Sequence, residues 1–128
     1  MLTRNNRFHG YGSLNYLFHR GKTERMYYVS LRVVPNKRRD DWRCAVVVAK
    51  KVAKTAPQRN RIRRRIYEIV RNQSASIANH QDFAIIVYDS QAADMPTAEL
   101  HKLITTLLKR GGVTTDTTEQ TLNTPSQS

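Results

Sequence analysis

The sequence predicts one domain of the α+β class: a two-layer α/β sandwich in which a small mixed sheet of about four strands carries helices on one face, in the order α-β-β-α-β-α. Two observations predict it. Residues 26–34, 43–50 and 83–88 are short runs rich in valine, isoleucine and tyrosine, as strands are. Two longer stretches instead carry helical stripes: Ile62, Ile66, Ile69 and Val70, then Leu100, Leu103, Ile104, Leu107 and Leu108. At 128 residues the chain can build one modest core and is too short for two.

Residues 1–12, with Arg4, Arg7 and Phe8, read as a basic flexible arm. Residues 13–19 suggest a short helix, with Ser13 as N-cap, Leu14, Leu17 and Phe18 on one face, and Gly21 as the stop. In residues 26–34, Tyr27, Val29, Leu31 and Val33 alternate with Tyr28, Ser30 and Arg32, which predicts a covered face with Tyr27 in it and a partly wet face holding Tyr28. Residues 35–42 are a polar connection, and the valine-rich residues 43–50 should form a central strand. The two strands are expected to pair as an antiparallel hairpin. Pro57 sits in the first turn of a helix over about residues 57–73. The strand at 83–88 follows, and Pro96 and Gly111-Gly112 bracket the last helix. From residue 113 the chain is Thr/Gln/Ser-rich and too polar to order itself, so the domain is expected to span residues 1–112.

Lys plus Arg number 22 against 10 acids, a net charge of +12, which points to an anionic partner. No apolar run approaches the roughly 18 residues of a membrane span, and the N-terminus does not read as a signal peptide. Cys44 is the only cysteine, so there is no internal disulfide and a reducing, cytoplasmic location is expected.

The positive charge concentrates at Lys50, Lys51, Lys54, Arg59, Arg61, Arg63, Arg64 and Arg65, with Arg71 beyond them and Glu68 the single acid. At ~100° per residue, Asn60, Arg64, Tyr67 and Arg71 fall opposite the isoleucine stripe. Arg61 and Arg65 take one flank and Arg63 the other, while Arg59 lies near the apolar side, where it can brace the helix start. Arginine offers a charged planar fork suited to phosphate oxygens, and Asn60 brings both a donor and an acceptor. Phe18 and Tyr28 are candidates to stack on unpaired bases, although Phe18 has core packing as an equal alternative. His9, His19, His80 and His101 are scattered, and the aspartates sit at turns and element ends. No catalytic set and no metal site can be assembled from them.

The run Lys50-Lys51-Val52, followed by Arg59-Asn60-Arg61-Ile62-Arg63-Arg64, strongly resembles the RNR signature of the bacterial ribonuclease P protein component. The resemblance covers roughly residues 1–112. It departs at Ala53, where a glycine is usual, at Gln58, at Tyr67, and at Leu14, where the family has a groove phenylalanine. The resemblance implies a protein that breaks no bond itself. A large RNA subunit with bound Mg²⁺ would remove the 5′ leader of precursor tRNA, and the protein alone would bind no cofactor. It implies RNA contacts at Lys50, Lys51, Lys54, Arg59, Asn60, Arg61, Arg63, Arg64 and Arg65, and a leader groove with Phe8, Phe18, Tyr28 and Arg32. Ribonuclease P RNA and precursor tRNA are the expected partners, with no membrane and no small-molecule substrate. The alternative is a structural or ribosomal-type RNA-binding protein. A helix-turn-helix DNA binder is disfavoured, because a strand, not a helix, precedes the basic helix.

Overall fold

The computed structural model describes residues 11–37 and 41–114. Phe8 and the arm up to residue 10, the side chains of Ser13 and Leu14, and the tail from residue 115 lie outside the described residues. The elements are α1 (Tyr11–Arg20), β1 (Lys22–Met26), β2 (Val29–Pro35), β3 (Arg43–Val48), α2 (Ala56–Asn72), β4 (Gln81–Val87) and α3 (Thr97–Arg110). The α+β class and the four-stranded mixed sheet are as expected. The order is α-β-β-β-α-β-α, one strand more than the sequence delineated.

That strand is β1. It pairs antiparallel with β2 across a turn at Tyr27 and Tyr28, so the predicted strand at 26–34 is the second arm of a tight hairpin. Tyr27 takes φ 54, a backbone region where glycine is the usual occupant of such a turn, and it stands 79% exposed, not in the core. The predicted hairpin between residues 26–34 and 43–50 does not form. The sheet order is β1-β2-β4-β3, with β2 antiparallel to β4 and β3 parallel to β4. The connection through α2 explains this, since a parallel pair requires a crossover and a helix supplies it.

The interior strands are β2 and β4, so β3, expected to be central, lies at the sheet edge. Strand β4 places Phe83, Ile85 and Val87 on one face with Val29, Leu31, Cys44, Val46 and Val48. The stripes of α2 and α3 close over that face and form the main core. Trp42, read from sequence as part of a polar connection, is buried there and packs on Phe83 with ring centroids 5.8 Å apart. The other face carries a smaller cluster of Leu17, Val34, Ala45 and Ala84, joined by Phe18 and Ile86. Thus α1 lies on the face opposite α2 and α3, and the helices are not confined to one face. It begins at Tyr11, which places Ser13 inside the helix instead of at its cap. It stops at Gly21, whose N–H bonds the Leu17 carbonyl at 2.8 Å.

Thr55 caps α2 by accepting from the Gln58 N–H at 3.3 Å, and Pro57 occupies the first turn. On the open edge of β3, the Val46 N–H donates to the Tyr67 hydroxyl at 3.1 Å. Tyr67 is therefore half-buried against the sheet and not aligned with the solvent side of α2. Val113 is fully buried and Thr114 bridges to Ile77.

Candidate RNA interface

The basic residues of the signature divide by what their side chains already hold. Arg61 donates from Nε to the Ala93 carbonyl at 2.8 Å, and Arg65 donates to the carbonyls of Ala92, at 2.7 Å, and Met95. Both clasp the short 3₁₀ turn Ser90–Ala93 that follows β4. Ala92 and Ala93 are buried, so these guanidiniums supply partners to carbonyls that water does not reach. Arg59 donates to the Ala53 carbonyl at 2.9 Å, the bracing its place near the apolar side suggests. Arg63 donates to the side-chain oxygen of Asn60 at 2.9 Å, which leaves the exposed Asn60 amide group to donate outward.

Lys50, Lys51, Lys54 and Arg64 are exposed, and among the described residues they make no ion pair or hydrogen bond. Lys50 and Lys51 stand on the turn after β3, with Lys54 just ahead of α2 and Arg64 on its outer side. Arg71 is paired with Glu68 one helical turn away. The hydrogen bond from Arg71 holds the Glu68 carboxyl below its usual range. Here the one acid of α2 neutralises the arginine farthest from the signature.

The second surface is the sheet face that α1 only partly covers. Strand alternation places Arg25, Ser30, Arg32, Val47, Ile86 and Tyr88 there, beside the Phe18 ring. The Arg32 guanidinium stands 5.8 Å from the Phe18 ring centroid and also donates to the Phe18 carbonyl. Phe18 is half-buried and packs against the small cluster of Leu17, Val34, Ala45 and Ala84, the packing alternative, while its ring stands beside Arg32. Tyr28 is not in this groove. It belongs to the helix-covered face, its hydroxyl donates to Met95 Sδ at 2.8 Å, and burial raises its phenol pKa, with the Asp89 carboxylate adding to the shift. The two-residue hairpin turn, absent from the sequence reading, shifts Tyr28 to the other side of the sheet.

In its place the groove has two residues that sequence reasoning missed. Tyr88 is 43% exposed, its hydroxyl lies 2.9 Å from Ser30 Oγ, and the Arg25 guanidinium stands 4.5 Å from its ring centroid. A period of two along residues 82–88 was enough to assign Tyr88 to the face of Ala84 and Ile86.

At the far end of this face, Arg43 and Asp82 form a buried ion pair, 2.7 Å at its shorter contact, and Asn36 donates to the same carboxylate at 2.9 Å. Its bidentate geometry and burial mark it as a structural lock. Among the described residues no three His, Cys, Asp or Glu side chains gather as metal ligands would, and no helix is long and apolar enough to cross a membrane.

The family model for ribonuclease P matches residues 2–112. The ribonuclease P protein component of Roseiflexus castenholzii is 38% identical over 93 residues, which are 73% of this chain and 75% of that protein. That of Chloroflexus aurantiacus is 32% identical over 103 residues, 80% of this chain and 75% of its own. Among solved structures, the RNase P protein of Staphylococcus aureus superposes with a TM-score of 0.76 at 24% identity, covering 86% of this chain and 98% of its own. That of Thermotoga maritima gives 0.70 at 24% identity, over 77% and 91%. At such identity the structures speak for the fold alone, and it is the same fold. With the RNR run on α2 and the family match over residues 2–112, the chain belongs to the ribonuclease P protein family.

Proposed function

We propose that this chain, the protein component of a ribonuclease P, holds the catalytic RNA with its exposed basic residues and the 5′ leader of precursor tRNA in its sheet groove. It thereby promotes leader removal without cleaving the bond itself. The observation that carries this reading is the two-sided division of the molecule. Lys50, Lys51, Lys54 and Arg64 are left without partners among the described residues, while the opposite face of the sheet holds aromatic rings beside arginines. The first set suits a phosphate backbone; the second suits unpaired bases.

In this reading Mg²⁺ belongs to the RNA subunit and its complex with the protein. The described residues of this chain offer no convergent set of carboxylates for it. Arg59, Arg61 and Arg65 act mainly by fixing the surface from which the free cations project, and Asn60 offers its amide to the RNA. Phe18 and Arg32 receive the leader. In this reading the protein works in the cytoplasm, together with its partner RNAs.

The test is cleavage of a precursor tRNA with a short leader by cognate ribonuclease P RNA at low, near-physiological Mg²⁺, with and without the protein. Protein-dependent release of the leader is expected. It should be lost when Lys50, Lys51 and Arg64 are replaced together by alanine, which leaves every described hydrogen bond in place. Tight RNA binding with no stimulation of cleavage would instead support a structural RNA-binding role.

A further inference from the structure

We infer that Arg25, layered on the Tyr88 ring, is a stacking platform for one unpaired base of the leader at the end of the groove that opens toward Lys50 and Lys51. The inference rests on the groove being the leader site.

Tyr88 follows β4, and Lys50 and Lys51 follow β3. Because these strands run parallel, with Val48 beside Val87, both emerge at the same end of the sheet. The β1–β2 turn is there too, since Val29 pairs with Val87 and the Tyr88 N–H bonds the Tyr28 carbonyl at 2.8 Å. The phosphate-binding side and the base-binding side of the molecule thus meet at this end.

The Arg25 guanidinium is pre-positioned there by two groups. Its Cζ stands over the Tyr88 ring, 4.5 Å from the centroid, and its Nε donates to the Tyr27 carbonyl at 3.4 Å. The tight turn that puts Tyr27 at positive φ brings Arg25 opposite Ser30, and Ser30 Oγ in turn holds the Tyr88 hydroxyl. Arg25 is exposed, so the plane it turns away from Tyr88 is open to a base. Bases stack on guanidinium planes as they do on rings, and a preordered plane loses little conformational freedom on binding. The Arg32–Phe18 pair lies on the same face. Arg32 and Ser30 are two residues apart on β2, about 7 Å, so neighbouring splayed nucleotides can each take one platform.

The test uses holoenzyme reconstituted with the RNA subunit and precursor tRNAs carrying 2-aminopurine at successive leader positions. The wild type should quench one position that Arg25→Lys and Tyr88→Ala both release, because lysine keeps the charge but loses the plane. Affinity for precursor tRNA should fall about fivefold or more in each, with affinity for mature tRNA unchanged. Wild-type affinity and quenching in Arg25→Lys would overturn the inference. Phe18→Ala separates the two levels. If it weakens precursor binding while Arg25→Lys does not, the platform is wrong and the groove stands. If neither does, the groove reading falls with it.

Discussion

Replacing Arg65 and Arg64 separately by alanine should produce opposite defects, although the two are neighbours in one basic run. Arg65→Ala removes a guanidinium that donates to the carbonyls of Ala92 and Met95. Ala92 is fully buried, so its carbonyl loses a partner that water cannot replace. Hydrogen bonds to charged groups contribute about 1.5–3 kcal/mol net. Because Arg65 itself is half-exposed, a total of about 2 kcal/mol is the reasonable figure for the pair. In a domain of this size that lowers Tm by roughly 10 °C. Arg64→Ala touches no described contact and should stay within about 0.5 kcal/mol of wild type. It should instead weaken binding to ribonuclease P RNA and flatten the plot of log affinity against log salt by about one phosphate contact, ~0.7–0.9 in slope. Thermal melts by circular dichroism and binding titrations over a salt series measure both. An Arg65→Ala protein that melts with wild type but loses as much salt slope as Arg64→Ala would refute the division, and would make Arg65 a free phosphate ligand.

Other perturbations test the frame that holds the two surfaces. Asp82→Ala leaves the buried Arg43 guanidinium without its carboxylate and should cost about 3–5 kcal/mol in urea unfolding, most of it recovered by also replacing Arg43 with methionine. Gly21→Ala drives a Cβ into the backbone carbonyl of Leu17 and should cost about 1–3 kcal/mol while loosening α1 from the sheet, read by amide exchange in residues 16–20. Burial pushes the Cys44 thiol pKa far above that of an ordinary thiol, so it should resist iodoacetamide in the native state and react once unfolded. The same shift sets a sign for stability. The unfolded thiol ionises first, so the Cys44 contribution is constant below pH 9 and declines as pH rises above it, a decline that Cys44→Ala should lack.

The helices were legible because their stripes are long and regular, and the basic run was legible because its spacing matches a known signature. What stayed hidden depends on partners far apart in sequence. The β1 strand, KTERM, has no apolar alternation, since an edge strand carries polar residues. The turn beside it is Tyr-Tyr, with none of the usual turn residues, so hairpin and register leave no local signal and plain alternation puts the two tyrosines on the wrong faces. No feature of the RNR run reveals that Arg61 and Arg65 are committed to carbonyls near residue 93. That requires knowing where the 3₁₀ turn docks. The Arg25–Tyr88 layer is a contact across strands and has no sequence period of its own.

The central place of β4 also governs how this molecule can be made. Leaving the ribosome, β2 has only β1 to pair with until Gln81–Val87 emerges, because Pro35 must meet Gln81 and Val29 must meet Val87. A lone two-stranded hairpin is marginal in water, and β3 also lacks its partner until then. The growing chain therefore stays without a sheet through the synthesis of the whole basic helix. Nascent chains arrested with residue 80 at the tunnel exit should be cut readily by protease, whereas those with α3 fully outside should resist. Such distant pairings place folding on the slower, millisecond-to-second side for small domains, so the charges of α2 are in solution before the sheet that orients them exists.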